Sequence, residues 1–217
     1  MCYTENEYLE NPRIVNDEYR RRLQSFQVPA IQKYFGSLQG KSFADIGCGD
    51  MPLAYCQEEI GRPSKYFATD LSVEAIYSGL NSLHRSGIDT SNIVPVSGPY
   101  FDFDLMPDSS LDAAFSNSLF SHLSLNTILI CLKNLSPKMA PHARYLSSMI
   151  ILPEGIDSLQ YEWKMKHGAN SHAAKDPFHY EFLEFRKIVD SCTGFTCRTF
   201  YQYGHPFQVL VEFIPDL

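Results

Sequence analysis

Residues 41–50, KSFADIGCGD, and residues 65–70, KYFATD, decide how this chain folds. The first is a short apolar strand that runs into Gly47, Cys48 and Gly49, and the second is another buried strand closing on an acid, Asp70. A strand, a glycine turn, a helix and a second strand ending in a carboxylate is how α/β sheets hold an adenosine-bearing ligand. Gly47 and Gly49 let the backbone turn sharply and leave no Cβ between it and a ligand. Asp70 follows Gly49 by 21 residues, the spacing expected of a carboxylate that grips both hydroxyls of a ribose.

The rest of the chain builds a sheet around that pair. Apolar residues at helical spacing predict a helix over about 14–35, which Pro29 is expected to kink or split. Strands are expected near 42–46, 66–69, 93–96, 111–115, 143–152, 196–203 and 207–213. Between them the pattern predicts helices at 52–60, at 73–84 capped by Ser72, at 121–135 and at 178–191. Residues 153–178 show no clear period, and a loop that long inside a compact domain is usually functional. Alternating strands and helices give a parallel sheet covered on both faces. The last two strands, joined by the tight turn Gly204-His205-Pro206, must run antiparallel. The expected fold is therefore α/β and Rossmann-like. It is a doubly wound seven-stranded sheet, mostly parallel, with one antiparallel strand near the edge. One domain is expected at 36–217, preceded by an N-terminal arm and lid helix at 1–35.

Composition narrows the function. The chain has 217 residues, 44% of them hydrophobic and 20% charged, as in an ordinary globular domain. A net charge of −7 argues against a nucleic-acid-binding surface, and Arg20-Arg21-Arg22 is the only basic cluster. Six cysteines without a CxxC pair fit neither a disulfide framework nor a zinc ribbon, so free thiols in the cytoplasm are expected. The polar, acidic N-terminus is no signal peptide, and no apolar run approaches the ~20 residues of a membrane span.

A nicotinamide or flavin site wants a third glycine where Pro52 stands, and a phosphate-cradling loop wants a G-K-S/T ending that is absent. A ligand with ribose but no phosphate fits better. At this point FADIGCGD, at 43–50, resembles the first motif of class I S-adenosylmethionine-dependent methyltransferases in its shortened form. The resemblance extends over about 35–213 and implies S-adenosylmethionine as cofactor, leaving S-adenosylhomocysteine as product. It implies that Asp45, Gly47, Cys48 and Gly49 form the cofactor loop, and that Asp70 and Leu71 hold the ribose end. It further implies that Asp102 and Phe103 contact the adenine, with Asp104 a competing alignment, and that Ser116 and Asn117 border the methyl donor. SLFSHL at 118–123, DPFHY at 176–180 and YGHP at 203–206 are similar to segments of small bacterial-type members.

Methyl transfer is an in-line displacement at a sulfonium methyl, so such a protein must mainly position the nucleophile and exclude water. A hydroxyl or protonated amine acceptor gains from a general base, most often histidine. His122, just after the fourth strand, is the first candidate; His179 and Tyr180, opening the last helix, are the others. His205 reads as a turn residue. His167, His172, Asp176 and His179 match no zinc signature, so no metal is expected. Trp163, Phe120, Phe178, Tyr8 and Tyr19 are candidate aromatic walls, and Arg20–Arg22 candidate partners for the methionyl carboxylate. The resulting expectation is methylation of a small molecule or short peptide, on O or N, with no nucleic acid or membrane partner. The competing readings are a catalytically silent cofactor-binding subunit and a nucleic-acid methylase. The latter usually carries D/N/S-P-P-Y/F where SNSLF stands at 116–120.

Overall fold

The computed structural model describes residues 17–156, 161–165, 168 and 170–216, with side chains from Arg21 onward except at positions 22 and 23. The readings placed on Tyr8, Arg20, Arg22, His167 and the Tyr19 side chain lie outside the described residues. The order is α1 (Asp17–Phe35), β1 (Ser42–Ile46), β2 (Lys65–Thr69), α2 (Val73–Arg85), β3 (Ile93–Val96), β4 (Leu111–Ser116), α3 (Leu125–Leu135) and β5 (Met139–Ile151). It continues with β6 (Glu162–Lys164), β7 (Asn170–His172), β8 (His179–Tyr180), α4 (Phe182–Cys192), β9 (Phe195–Tyr201) and β10 (Val209–Pro215).

The main sheet runs β3-β2-β1-β4-β5-β10-β9. Every pairing from β3 to β5 is parallel, and β10 is antiparallel to both β5 and β9. The doubly wound seven-strand expectation is thus borne out, with one addition. An eighth strand, β8, pairs with the end of β5 through Ile150–His179 and Ile151–Tyr180, past the point where β10 leaves it.

Period-2 alternation sorts the side chains into two cores. Ala44, Ile46, Phe67, Phe120, Tyr145, Phe185 and Phe213 pack on the face covered by α3 and α4. Phe43, Tyr66, Ile76 and Leu83 pack on the other with Phe26, Ile31 and Phe35 of α1. The described part of α1 is therefore woven into the domain core. Its C-terminal end is tied to the sheet by Arg144, which donates to the Tyr34 carbonyl and pairs with the buried Glu212.

Four local expectations are corrected. Helix α1 is continuous through Pro29, which sits on its exposed side. The helix expected at 52–60 is only a 3-10 turn at Pro52–Cys56, entered from Met51 in the left-handed region. Its N–H groups reach back three residues, as from Ala54 to Met51. The helix expected from 121 is a 3-10 turn, Phe120–His122, and then α3 capped by Ser124. His179 and Tyr180 do not open a helix; they form β8, and α4 starts at Phe182 behind an Glu181 cap that accepts from Glu184 N–H. Inside the segment 153–178 the short strands β6 and β7 pair antiparallel. Among the described residues no helix is long and apolar enough to cross a membrane.

Candidate active site

Strand order reverses between β1 and β4, and in open α/β sheets the carboxyl ends beside such a switch point form the ligand crevice. The glycine loop leaves β1 there. Gly47 sits at φ 71°, and a Cβ on it would come within 2.9 Å of the Leu119 side chain, so no larger residue fits without displacing that wall. Helix α2 presses on the loop from below: a Cβ on Gly79 would lie 2.6 Å from the Asp50 carbonyl oxygen.

Asp70 closes the loop. Its Oδ2 accepts the Gly49 N–H at 2.8 Å and its Oδ1 accepts the Ser72 N–H at 2.9 Å. Burial holds its pKa above the usual carboxylate value, and those backbone bonds offset that only in part. Each carboxylate oxygen has a second acceptor direction, so capacity for two hydroxyls remains. Asp70 opens into a cavity of about 460 Å³ lined by Gly47, Leu71, Val96, Tyr100, Asp102 and Phe103, among others. Leu119, Leu123 and Thr127 close its far side.

The ten residues expected around the cofactor divide into three groups. Gly47, Asp70, Leu71, Asp102 and Phe103 line the cavity. Asp104 does not; its N–H is held by Asp102 Oδ1 at 2.9 Å, so the Asp102 alignment is the one the loop geometry favours. Asp45, Cys48 and Gly49 lie behind the wall, with Asp45 and Cys48 buried. Ser116 and Asn117 turn elsewhere: the Ser116 hydroxyl sits in the core between Tyr145 and Ser147, and Asn117 Oδ1 accepts the Tyr203 hydroxyl at 3.0 Å.

Asp45 is the electrostatic oddity of the loop. Tyr66 donates to its Oδ2 at 2.6 Å, yet complete burial pushes its pKa from 3.8 up to about 7. The folded chain therefore holds this proton more tightly than the unfolded chain. Between about pH 4 and pH 7 the unfolded state loses the proton and the folded state keeps it, so stability falls as pH rises through that window. The full span is worth about 4 kcal/mol by linkage. Asp45→Asn is expected to flatten that slope in thermal denaturation followed from pH 4 to pH 8. An unchanged slope would mean Asp45 ionises in the folded protein as it does in the unfolded chain.

The catalytic candidates do not share one cavity. His122 Nδ1 is 2.7 Å from Asp176 Oδ1, a pairing across 54 residues. Two more bonds clamp the same strap: Phe178 N–H to the Ser121 carbonyl at 2.7 Å, and Tyr180 hydroxyl to the Leu123 carbonyl at 2.5 Å. Burial pushes the Tyr180 phenol well up, so it acts as a donor holding the strap. His179 is buried with its Nδ1 2.9 Å from the Ser171 hydroxyl. His179, Tyr180 and Phe178 line a second cavity of about 430 Å³, walled also by Ser124, Glu181 and Glu184. His122 thus stands on the turn between the cavities, its neighbour Leu123 in one and Ser124 in the other.

His205 behaves as the sequence suggests. Its Nδ1 accepts the Phe207 and Gln208 N–H groups, and its ring packs against Phe26, Tyr203 and Phe207. Phe120 is core, and Trp163 lies on β6. Among the described residues no three His, Cys, Asp or Glu side chains are grouped to hold a metal ion. Sequence reasoning missed two features. One is the pairing of Asp176 with His122, which a spacing of 54 residues hides. The Gln208 hub, which accepts from Ser118 and Ser148 and donates to Ser121, carries no linear signal.

No protein-family model and no curated protein matches the sequence. Solved structures do match the fold. One is a structure of the complex between the Haloferax volcanii Trm112 methyltransferase activator and a methyltransferase, at TM-score 0.69 and 13% identity, covering 100% of both chains. Another is an S-adenosylmethionine-dependent methyltransferase from Aquifex aeolicus, at TM-score 0.66 and 18% identity, covering 98% of this chain and 100% of that one. A third is the Burkholderia thailandensis 1,6-didemethyltoxoflavin-N1-methyltransferase with 1,6-didemethyltoxoflavin and S-adenosylhomocysteine bound, at TM-score 0.62 and 15% identity, covering 100% and 92%. At these identities the likeness is one of fold. The chain has the fold of the S-adenosylmethionine-dependent methyltransferases.

Proposed function

We propose that this protein is an S-adenosylmethionine-dependent methyltransferase acting on a hydroxyl or amine of a small molecule or short peptide. The observation that carries the reading is the Gly47–Asp70 pair opening into one cavity at the switch point of the sheet. The residues present fit the cofactor. Gly47 has no room for a Cβ beside Leu119, Asp70 has two acceptor directions left for ribose hydroxyls, and Leu71, Val96 and Phe103 give a purine an apolar slot. Asp102 would accept from the adenine amino group, and the loop of Asp45, Cys48 and Gly49 would back the methionyl half. Ser116 and Asn117 would brace the end of β4 beside it.

When bound, the cofactor supplies an electrophilic methyl on a sulfonium. This chain's own residues then orient the acceptor, exclude water and take up its proton. His122 would take the proton. With Asp176 accepting from Nδ1–H, the imidazole would act as the base through Nε2. His179 and Tyr180 would shape the acceptor side of the 430 Å³ cavity, while Ala173, Ala174 and Phe178 of the segment 153–178 would choose what enters. The small-molecule methyltransferase from Burkholderia thailandensis supports an acceptor of this size by fold alone.

The test is methyl transfer from isotopically labelled S-adenosylmethionine to panels of hydroxyl- and amine-bearing metabolites and short peptides. Transfer to a member of either class is expected. Labelling of nucleic acid alone would overturn the acceptor assignment.

A further inference from the structure

The chain leaves β4 through a turn that a serine does not favour. Ser118 sits at φ 58°, in the left-handed region where a Cβ crowds the backbone, so the turn must be held. Two serines and a glutamine hold it. The Ser118 N–H donates to Ser148 Oγ of β5 at 2.6 Å, and the Ser118 hydroxyl donates to Gln208 Oε1 at 3.2 Å. The Ser148 hydroxyl donates to the same Oε1 at 2.6 Å, and Gln208 Nε2 donates to Ser121 Oγ at 3.3 Å. Ser121 in turn gives its proton to the Ser118 carbonyl at 3.2 Å.

These bonds use each of the three hydroxyl protons once. Gln208 takes two of the donors on Oε1 and closes the ring from Nε2. Only a side-chain amide carries an acceptor and a donor on one planar fork; a carboxylate or an apolar side chain does not. Ser121, Ser148 and Gln208 are all buried, so a lost partner there leaves a polar atom bare. Gln208 is itself pinned, its N–H donating to the His205 ring at 3.1 Å just before β10.

The turn held in this way carries His122. The His122 N–H closes it onto the Leu119 carbonyl at 2.9 Å, and the Ser121 carbonyl accepts Phe178 N–H from the strap that brings Asp176 to the imidazole. Turn and strap must therefore be in register for His122 to meet Asp176. Gln208 lines neither cavity, so it acts on the turn alone.

We propose that Gln208 is a positioning residue for His122, acting through Ser118 and Ser121. This rests on the reading of His122 as the base and adds to it the clamp that keeps Nδ1 on Asp176. It predicts that losing the amide frees the imidazole from a single tautomer.

The experiment is long-range proton–nitrogen NMR of the histidine rings at pH 8, with thermal melts, on the wild type, Gln208→Leu and Ser121→Ala. Leucine has similar bulk without the hydrogen bonds, and Ser121→Ala removes a single hydroxyl from the clamp. In the wild type His122 should carry its proton on Nδ1. In Gln208→Leu the ratio of the Nδ1–H to the Nε2–H tautomer is expected to fall by about two- to twelvefold, the worth of one hydrogen bond. Ser121→Ala should move the ratio the same way, and it decides the matter if the leucine variant does not fold. A lowered melting temperature with the wild-type tautomer ratio would overturn the positioning role, make Gln208 a core residue only, and leave the methyltransferase reading standing. A wild-type chain that takes up no S-adenosylhomocysteine in calorimetry would remove that reading instead, and with it the purpose of placing His122.

Discussion

Replacing His122 by asparagine is expected to lower the rate of methyl transfer by about 10²–10⁴-fold, the usual contribution of one positioned general base. His122 stands on the 3-10 turn between the two cavities, and its Nδ1 is fixed 2.7 Å from Asp176. The carboxylate selects the tautomer and the ring orientation, while the bonds from Phe178 and Tyr180 hold Asp176's strap to the turn. Asparagine keeps a polar side chain of moderate size but cannot take up a proton. Affinity for S-adenosylhomocysteine should stay within about twofold, because His122 does not line the cofactor cavity. Asp176→Asn should lose rate in the same direction and by less, since an amide oxygen still accepts from Nδ1–H. Single-turnover rates with an identified acceptor check this. A His122→Asn variant that transfers at the wild-type rate would assign His122 to packing.

The largest stability effect is expected at Phe213. It is fully buried on β10, its ring stacked on Tyr145 at 5.4 Å and meeting Phe120 at 6.0 Å and Phe185 and Phe195 at 6.2 Å each. Five aromatic rings from β10, β5, β9, α4 and the 120s turn interlock there. Deleting the central ring opens a cavity its rigid neighbours cannot fill, and a Phe→Ala change in such a core costs about 3–5 kcal/mol. Set against the 5–15 kcal/mol that holds a typical domain folded, that is a large share. Urea denaturation should show the unfolding free energy falling by this amount, through a lower midpoint at an unchanged slope. A loss below about 1 kcal/mol would mean the cluster collapses onto the gap. Phe120 belongs to the same turn as His122, so the same substitution should also loosen the catalytic candidate.

The strands were legible because β1, β2 and β4 are short apolar runs between turn residues, and alternation along them is visible in single residues. Phe43 goes to one core and Ala44 to the other. Asp70 was legible for a similar reason: a carboxylate at a strand end, at fixed spacing from a glycine turn, is a local pattern. β8 was not. Two residues form a strand only because β5 runs two residues past its pairing with β10, which no local pattern announces. The 52–60 segment misled because Leu53, Ala54, Cys56, Gln57 and Ile60 are buried at spacings that also suit a helix. Asp102 and Asp104 could not be separated by spacing, because which of them enters the cavity depends on a loop held by Asn134 from a different helix. Long-range pairs such as His122 with Asp176 and Asn117 with Tyr203 belong to tertiary structure alone.

The role of Asp70 as the anchor of an adenosyl cofactor is tested most directly by one titration. Calorimetry with S-adenosylhomocysteine should show one molecule bound per wild-type chain. In Asp70→Ala the affinity should fall by about 1–3 kcal/mol, roughly 5- to 150-fold, as hydrogen bonds to a charged acceptor are lost. A wild-type chain that takes up no S-adenosylhomocysteine, or an Asp70→Ala chain that binds it as tightly as the wild type, would contradict the account.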